Sequence, residues 1–141
     1  MINERSAGAI IFIRDKEIKY LLLHYGLGHW EFVKGNIEEN EDIKNTVTRE
    51  TEEETGIKDL KFISNFKEKI QFFYKRDNNL VKKEVIYYLA ETKTEDIKLS
   101  FEHIGYKWLT YEEALKQLTF KNSKEILKKV HNMLTNSLLN Y

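Results

Sequence analysis

The chain has 141 residues, 41% of them hydrophobic and 13% aromatic, which is enough to bury one core and excludes wholesale disorder. Lys plus Arg and Asp plus Glu both number 23, and this zero net charge argues against broad, sequence-blind nucleic-acid binding. The absence of cysteine excludes disulfides and thiolate metal sites, and no apolar run approaches a bilayer span.

The start, Met1-Ile2-Asn3-Glu4-Arg5, lacks the basic and then apolar pattern of a signal peptide, so a cytoplasmic protein is expected. No linker or repeat divides the chain, and residues 1–141 read as a single domain. Residues 6–14 are β-rich and apolar, and Asp15-Lys16 turns them into a second strand over 18–25. The Gly26-Leu27-Gly28 turn leads to a short aromatic segment over 30–33. Over 42–55 the period changes: Ile43, Val47 and Thr51 recur every four residues, Asn40 offers a cap, and Gly56 stands where a helix stops.

Strands are expected again over 60–65, 70–75 and 84–92, with Asp77-Asn78-Asn79 as a hairpin turn. A strand over 105–109 follows, and then Thr110 with Glu113 forms a capping-box signature for a short helix to about Leu118. Asn122 with Glu125 repeats that signature before a last helix carrying the apolar stripe Ile126, Val130, Leu134 and Leu138. Strands mixed with three helices imply α and β layers around one sheet.

The chemistry concentrates in residues 35–57. On a helix, Glu50, Glu53 and Glu54 stand at i, i+3 and i+4, so their carboxylates share a face while Thr51 turns to the core with Ile43 and Val47. Three such carboxylates repel one another unless a hard divalent cation sits among them, and all-oxygen ligands select Mg²⁺ or Mn²⁺. Taken alone, an acidic triplet is a solvated face. The wider spacing changes that reading: Gly35, five residues, Glu41, seven residues, Arg49-Glu50, then Glu53-Glu54 and Gly56. Seven fixed positions at fixed intervals leave little room for coincidence.

This pattern resembles the Nudix box, and the chain is similar to Nudix hydrolases. Flanking pieces resemble the asymmetrically cleaving diadenosine tetraphosphate hydrolases within that family. They include Ser6-Ala7-Gly8-Ala9, Gly28-His29-Trp30, residues 83–91, Glu102-His103, Tyr106-Lys107-Trp108-Leu109 and Phe120-Lys121. The departures are Val33 where the family often has Pro ahead of Lys-Gly, Glu39-Asn40 in place of Pro-Gly, and Thr51 at an apolar box position. None removes a functional group.

The resemblance implies an α/β (α+β) fold, a Nudix-type α/β/α sandwich with a mixed β-sheet between helices. It implies metal binding by Glu50, Glu53 and Glu54 with the Gly35 carbonyl, Mg²⁺ as cofactor (Mn²⁺ also fitting), and catalysis by Glu53, Glu54 and Glu102. Glu102 is a candidate base, the alternative being a solvated loop residue. Arg49 and Glu41 are expected to be structural, holding the loop against the helix, and Glu52 to be merely solvated.

His29, Lys34, Tyr74 and Lys83 match positions that contact the phosphate chain. Tyr74 and Phe120 match an aromatic pair that sandwiches a base, a mode tolerant of many bases. For Phe120 the competing reading is packing beneath the last helix. The expected substrate is a small nucleotide, diadenosine tetraphosphate cleaved to ATP and AMP, with no membrane partner and no feature that sets an oligomeric state. The alternatives are a pyrophosphohydrolase acting on nucleoside triphosphates or RNA 5′ ends, and a non-catalytic nucleotide-sensing module. The complete Glu50, Glu53 and Glu54 set argues against the last.

Overall fold

The computed structural model describes residues 1–136. Its elements run β1 (Ile2–Arg14), β2 (Ile18–Tyr25), β3 (Trp30–Glu31), β4 (Val33–Asn36), α1 (Ile43–Thr55), β5 (Lys61–Arg76), β6 (Asn79–Glu91), β7 (His103–Leu109), α2 (Tyr111–Gln117) and α3 (Lys121–Asn136). All seven strands join one mixed sheet in the order β3-β2-β1-β6-β5, with β4 also paired to β1 and β7 to β2. The pairing of β1 with β6 is parallel and the others are antiparallel.

Strand alternation on β1 explains why helices cover both faces. Ala7, Ala9 and Ile11 point to one side, where they meet Val47 of α1, Leu21, Leu23, Val33 and Ile57. Ile10 and Phe12 point to the other, where α2 and α3 supply Ala114, Ile126, Leu127, Val130 and Leu134. Burying each such Ile, Leu or Phe is worth about 1.5–3 kcal/mol, so both faces need their helices. The stripe over Ile126, Val130 and Leu134 is buried as its spacing requires; Leu138 lies outside the described residues.

Several boundaries differ from the sequence reading. Strand β1 starts at Ile2, because parallel pairing with β6 extends its polar first turn of residues from Ile2↔Val81 onward. The segments 60–65 and 70–75 are one strand, β5, whose register against β6 shifts between Phe62 and Lys67. The aromatic segment over 30–33 divides at Phe32 into β3 and β4, which pair with different neighbours.

The caps differ too. Asp42, with extended backbone, precedes α1, while Asn40 has φ 63° and serves the preceding turn. Helix α3 begins at Lys121, so Asn122 lies inside its first turn, and the Lys124 N–H bonds the Phe120 carbonyl. The Gly56 stop at φ 79° and the Thr110–Glu113 capping box form as expected. Asp77 and Asn78, both at positive φ, close a two-residue hairpin between Arg76 and Asn79.

Candidate active site

Helix α1 and strand β4 bring the acidic pattern to one open cleft of about 690 Å³. Thr51 and Val47 are fully buried, so Glu50, Glu53 and Glu54 project from the opposite side of the helix toward β4 and the 100–102 loop. Gly35 lies directly under Glu50. A Cβ at this position would overlap the Glu50 carboxylate, which is why the close approach needs glycine.

Arg49 organises this corner. Its Nε and Nη2 donate to the two Glu41 oxygens at 2.7 and 3.0 Å, and Nη2 also reaches the Asn36 carbonyl at 3.2 Å. Its Nη1 donates to Glu50 at 2.8 Å and Glu53 at 3.2 Å. The guanidinium thus ties the 36–41 loop to the helix and orients two of the three box carboxylates. Glu41 is held down to about 2 by Arg49, with the Thr46 hydroxyl assisting at 2.7 Å. Glu52 points away from the cleft and is exposed.

Glu54 is the deepest of the three box carboxylates, 5% exposed. Its Oε1 lies 2.6 Å from Nε2 of buried His103, and its Oε2 has no hydrogen-bond partner among the described residues. Burial pushes the neighbouring Glu50 carboxyl up to about 7, with Arg49 opposing the rise and the charge of Glu54 adding to it. Glu102, on the adjoining loop, offers an oxygen that lies within 4.8 Å of ligand atoms of both Glu54 and His103. A buried, unpartnered carboxylate oxygen beside a second carboxylate of raised pKa is what a hard cation would relieve, so these residues fit a divalent ion.

Two lysines share the cleft with these carboxylates. Lys34, next to Gly35 on β4, and Lys83 on β6 both line the cleft. Lys83 donates to Ser6 at 2.7 Å, and its pKa is lowered by burial and by the charge of Lys34. His29 stands outside this cleft in an aromatic stack, 4.7 Å from Tyr25 and 5.5 Å from Phe120 between ring centroids. Burial, reinforced by Lys34, lowers its pKa.

Tyr74 and Phe120 are not brought together as a pair. The Tyr74 hydroxyl donates to Glu4, which also receives Arg76 at 2.7 Å. Phe72, two residues earlier on the same face of β5, is the ring that lines a second, apolar cleft with Phe120. Lys34 borders both clefts, so they adjoin.

Sequence reasoning missed His103, Phe72 and the Glu31–Ser123 contact. His103 had one available signal, its place directly after Glu102; the other two depend on which distant elements meet.

A family model described as NUDIX domain matches residues 3–130. The chain belongs to the NUDIX family. It is 37% identical to a mouse protein named bis(5′-nucleosyl)-tetraphosphatase [asymmetrical] over 92% of this chain and 95% of that one. A pig protein of the same name is 36% identical with the same coverage. A C. elegans Ap4A hydrolase in a binary complex superposes with TM-score 0.84 at 29% identity, covering 94% of this chain and 98% of that one. This NUDIX hydrolase thus has its sandwich fold and near full-length similarity in common with asymmetrical tetraphosphatases. Among the described residues no helix is long and apolar enough to cross a membrane.

Proposed function

We propose that residues 1–141 form one cytoplasmic catalytic domain that uses Mg²⁺ to hydrolyse dinucleoside polyphosphates, diadenosine tetraphosphate giving ATP and AMP. The observation that carries this reading is one cleft lined by Glu50, Glu53 and Glu54 together with Lys34 and Lys83, with Lys34 also bordering an apolar cleft. Clustered carboxylates suit a cation, lysines suit a polyanion, and an apolar cleft suits a base. The relatives named as asymmetrical tetraphosphatases support the same substrate class.

Glu50, Glu53 and Glu54, with the Gly35 carbonyl, would hold the ion. When bound, it supplies positive charge against the phosphate oxygens and acidifies water. Arg49 keeps Glu50 and Glu53 aimed, and His103 does the same for Glu54. Lys34 and Lys83 hold phosphate oxygens across the cleft. Glu102 accepts a proton at a carboxylate oxygen as water attacks phosphorus. The new P–O bond forms as the bridging P–O bond breaks, and the bridging oxygen leaves with the nucleoside triphosphate while the attacked phosphorus stays on the monophosphate.

The test is steady-state turnover of diadenosine tetraphosphate with Mg²⁺ for wild type and Glu54→Gln. Chelation should abolish activity, and the variant should lose at least about a hundredfold in kcat with unchanged circular dichroism. An unaltered rate in folded Glu54→Gln contradicts the cation assignment. Faster turnover of nucleoside triphosphates or 5′-triphosphorylated RNA contradicts the substrate.

A further inference from the structure

Beside Lys34 lies the apolar cleft of about 200 Å³, which has room for a base. Phe72 and Phe120 line it at 39% and 47% exposure, and Tyr87, Ser123 and Glu31 form its buried part. Glu31 is only 3% exposed. A carboxyl group this deep in an apolar setting is expensive and needs partners.

It has two. The Phe32 N–H donates to Oε1 at 3.0 Å, and the Ser123 hydroxyl donates to Oε2 at 2.7 Å. A carboxylate accepts at about four lone-pair sites, so each oxygen keeps capacity for another donor. Glu31 lines the cleft together with fully buried Tyr87. Tying β3 to the first turn of α3 would need only a neutral hydrogen-bonding side chain; burial raises the Glu31 pKa, and the charge of Lys34, which lines the same cleft, opposes that rise and favours the carboxylate.

We infer that Glu31 reads the edge of a nucleobase seated between Phe72 and Phe120, accepting hydrogen bonds from its exocyclic amino group. Ring stacking tolerates any base because every base has a π-face. A buried acceptor adds selectivity, because an analogue lacking the donor leaves that acceptor with an unmet hydrogen bond. The chemical class selected is therefore the amino-bearing base. This inference rests on the nucleotide reading given above and specifies its base subsite.

The test is calorimetric binding of ATP, a product of the proposed reaction, against purine riboside triphosphate, which differs by the missing amino group. Wild type should bind ATP at least about tenfold more tightly. Glu31→Leu, which removes both acceptor oxygens, should bind the two within about twofold. Should that variant not fold, Glu31→Gln, with one acceptor replaced, should show reduced discrimination. Equal binding by wild type overturns the inference regardless of any variant, as does full discrimination by a folded Glu31→Leu. Hydrolysis of diadenosine tetraphosphate without discrimination unseats Glu31 alone; discrimination without hydrolysis unseats the proposed reaction alone.

Discussion

His103 and Glu54 hold each other where β7 meets α1, with Nε2 and Oε1 2.6 Å apart and both side chains buried. That bond fixes one oxygen of the deepest box carboxylate and leaves the other buried without a hydrogen-bond partner among the described residues. Leaving a buried carboxylate without its partner costs about 1–3 kcal/mol or more. His103→Leu should lose about that much stability in urea unfolding. It should also bind Mn²⁺ roughly 10–100-fold more weakly by electron paramagnetic resonance, the usual cost of removing an orienting partner. His103→Gln keeps a donor and should recover part of both. Unchanged Mn²⁺ affinity in His103→Leu contradicts the positioning role.

Gly35→Ala probes the contact between β4 and α1. The added methyl would occupy the space of the Glu50 carboxylate, which must then swing away from Arg49 and the cleft. Displacing a reacting constellation by about 1 Å can cost roughly a hundredfold in rate. A loss of that order in kcat, with a melting temperature near wild type, is expected. Wild-type kcat would show that Glu50 does not need its position against the strand.

What was legible in the sequence was whatever repeats locally. The Ile43, Val47 and Thr51 stripe and the Gly56 stop placed α1, and therefore the shared face of Glu50, Glu53 and Glu54, because a helix fixes those angles within a few residues. Pairings that depend on topology were not legible. Glu54 and His103 are 49 residues apart, and Glu31 and Ser123 are 92 apart. Tyr74 and Phe72 share a face of β5, and strand alternation alone does not say which of them borders the apolar cleft. Asn40 and Asp42 both have cap chemistry, and the left-handed turn at Asn40 decided between them.

Phe120 separates binding from packing. It is 47% exposed and lies against His29 just before α3, so its truncation should cost much less than the about 3–5 kcal/mol of a buried Phe. Nucleotide binding by Phe120→Ala should weaken by about 1–3 kcal/mol if the ring stacks on a base. Calorimetry and thermal melting on the same variant check both. A large drop in melting temperature with intact affinity would make Phe120 a packing residue.

His131 gives the fold a pH dependence remote from the cleft. Its Nδ1 lies 2.8 Å from the Tyr20 hydroxyl, and its ring stacks on Tyr111 at 4.0 Å. Burial lowers its pKa below the ordinary 6.5, so the folded state favours the neutral ring. Above pH 6.5 both states are neutral and the full stability is present. As pH falls from 6.5 through the folded value, the unfolded chain takes up the proton first and stability drops. Urea midpoints at pH 8 and 5.5 should therefore diverge for wild type more than for His131→Asn. Equal divergence in both proteins contradicts the assignment.

The most direct measurement is the product pair released from diadenosine tetraphosphate in Mg²⁺, resolved by anion-exchange chromatography at low conversion. Under the proposed reaction the expected products are equal amounts of ATP and AMP. Two molecules of ADP, or no turnover while another nucleotide is hydrolysed, would contradict asymmetric dinucleoside polyphosphate hydrolysis as the activity of this chain.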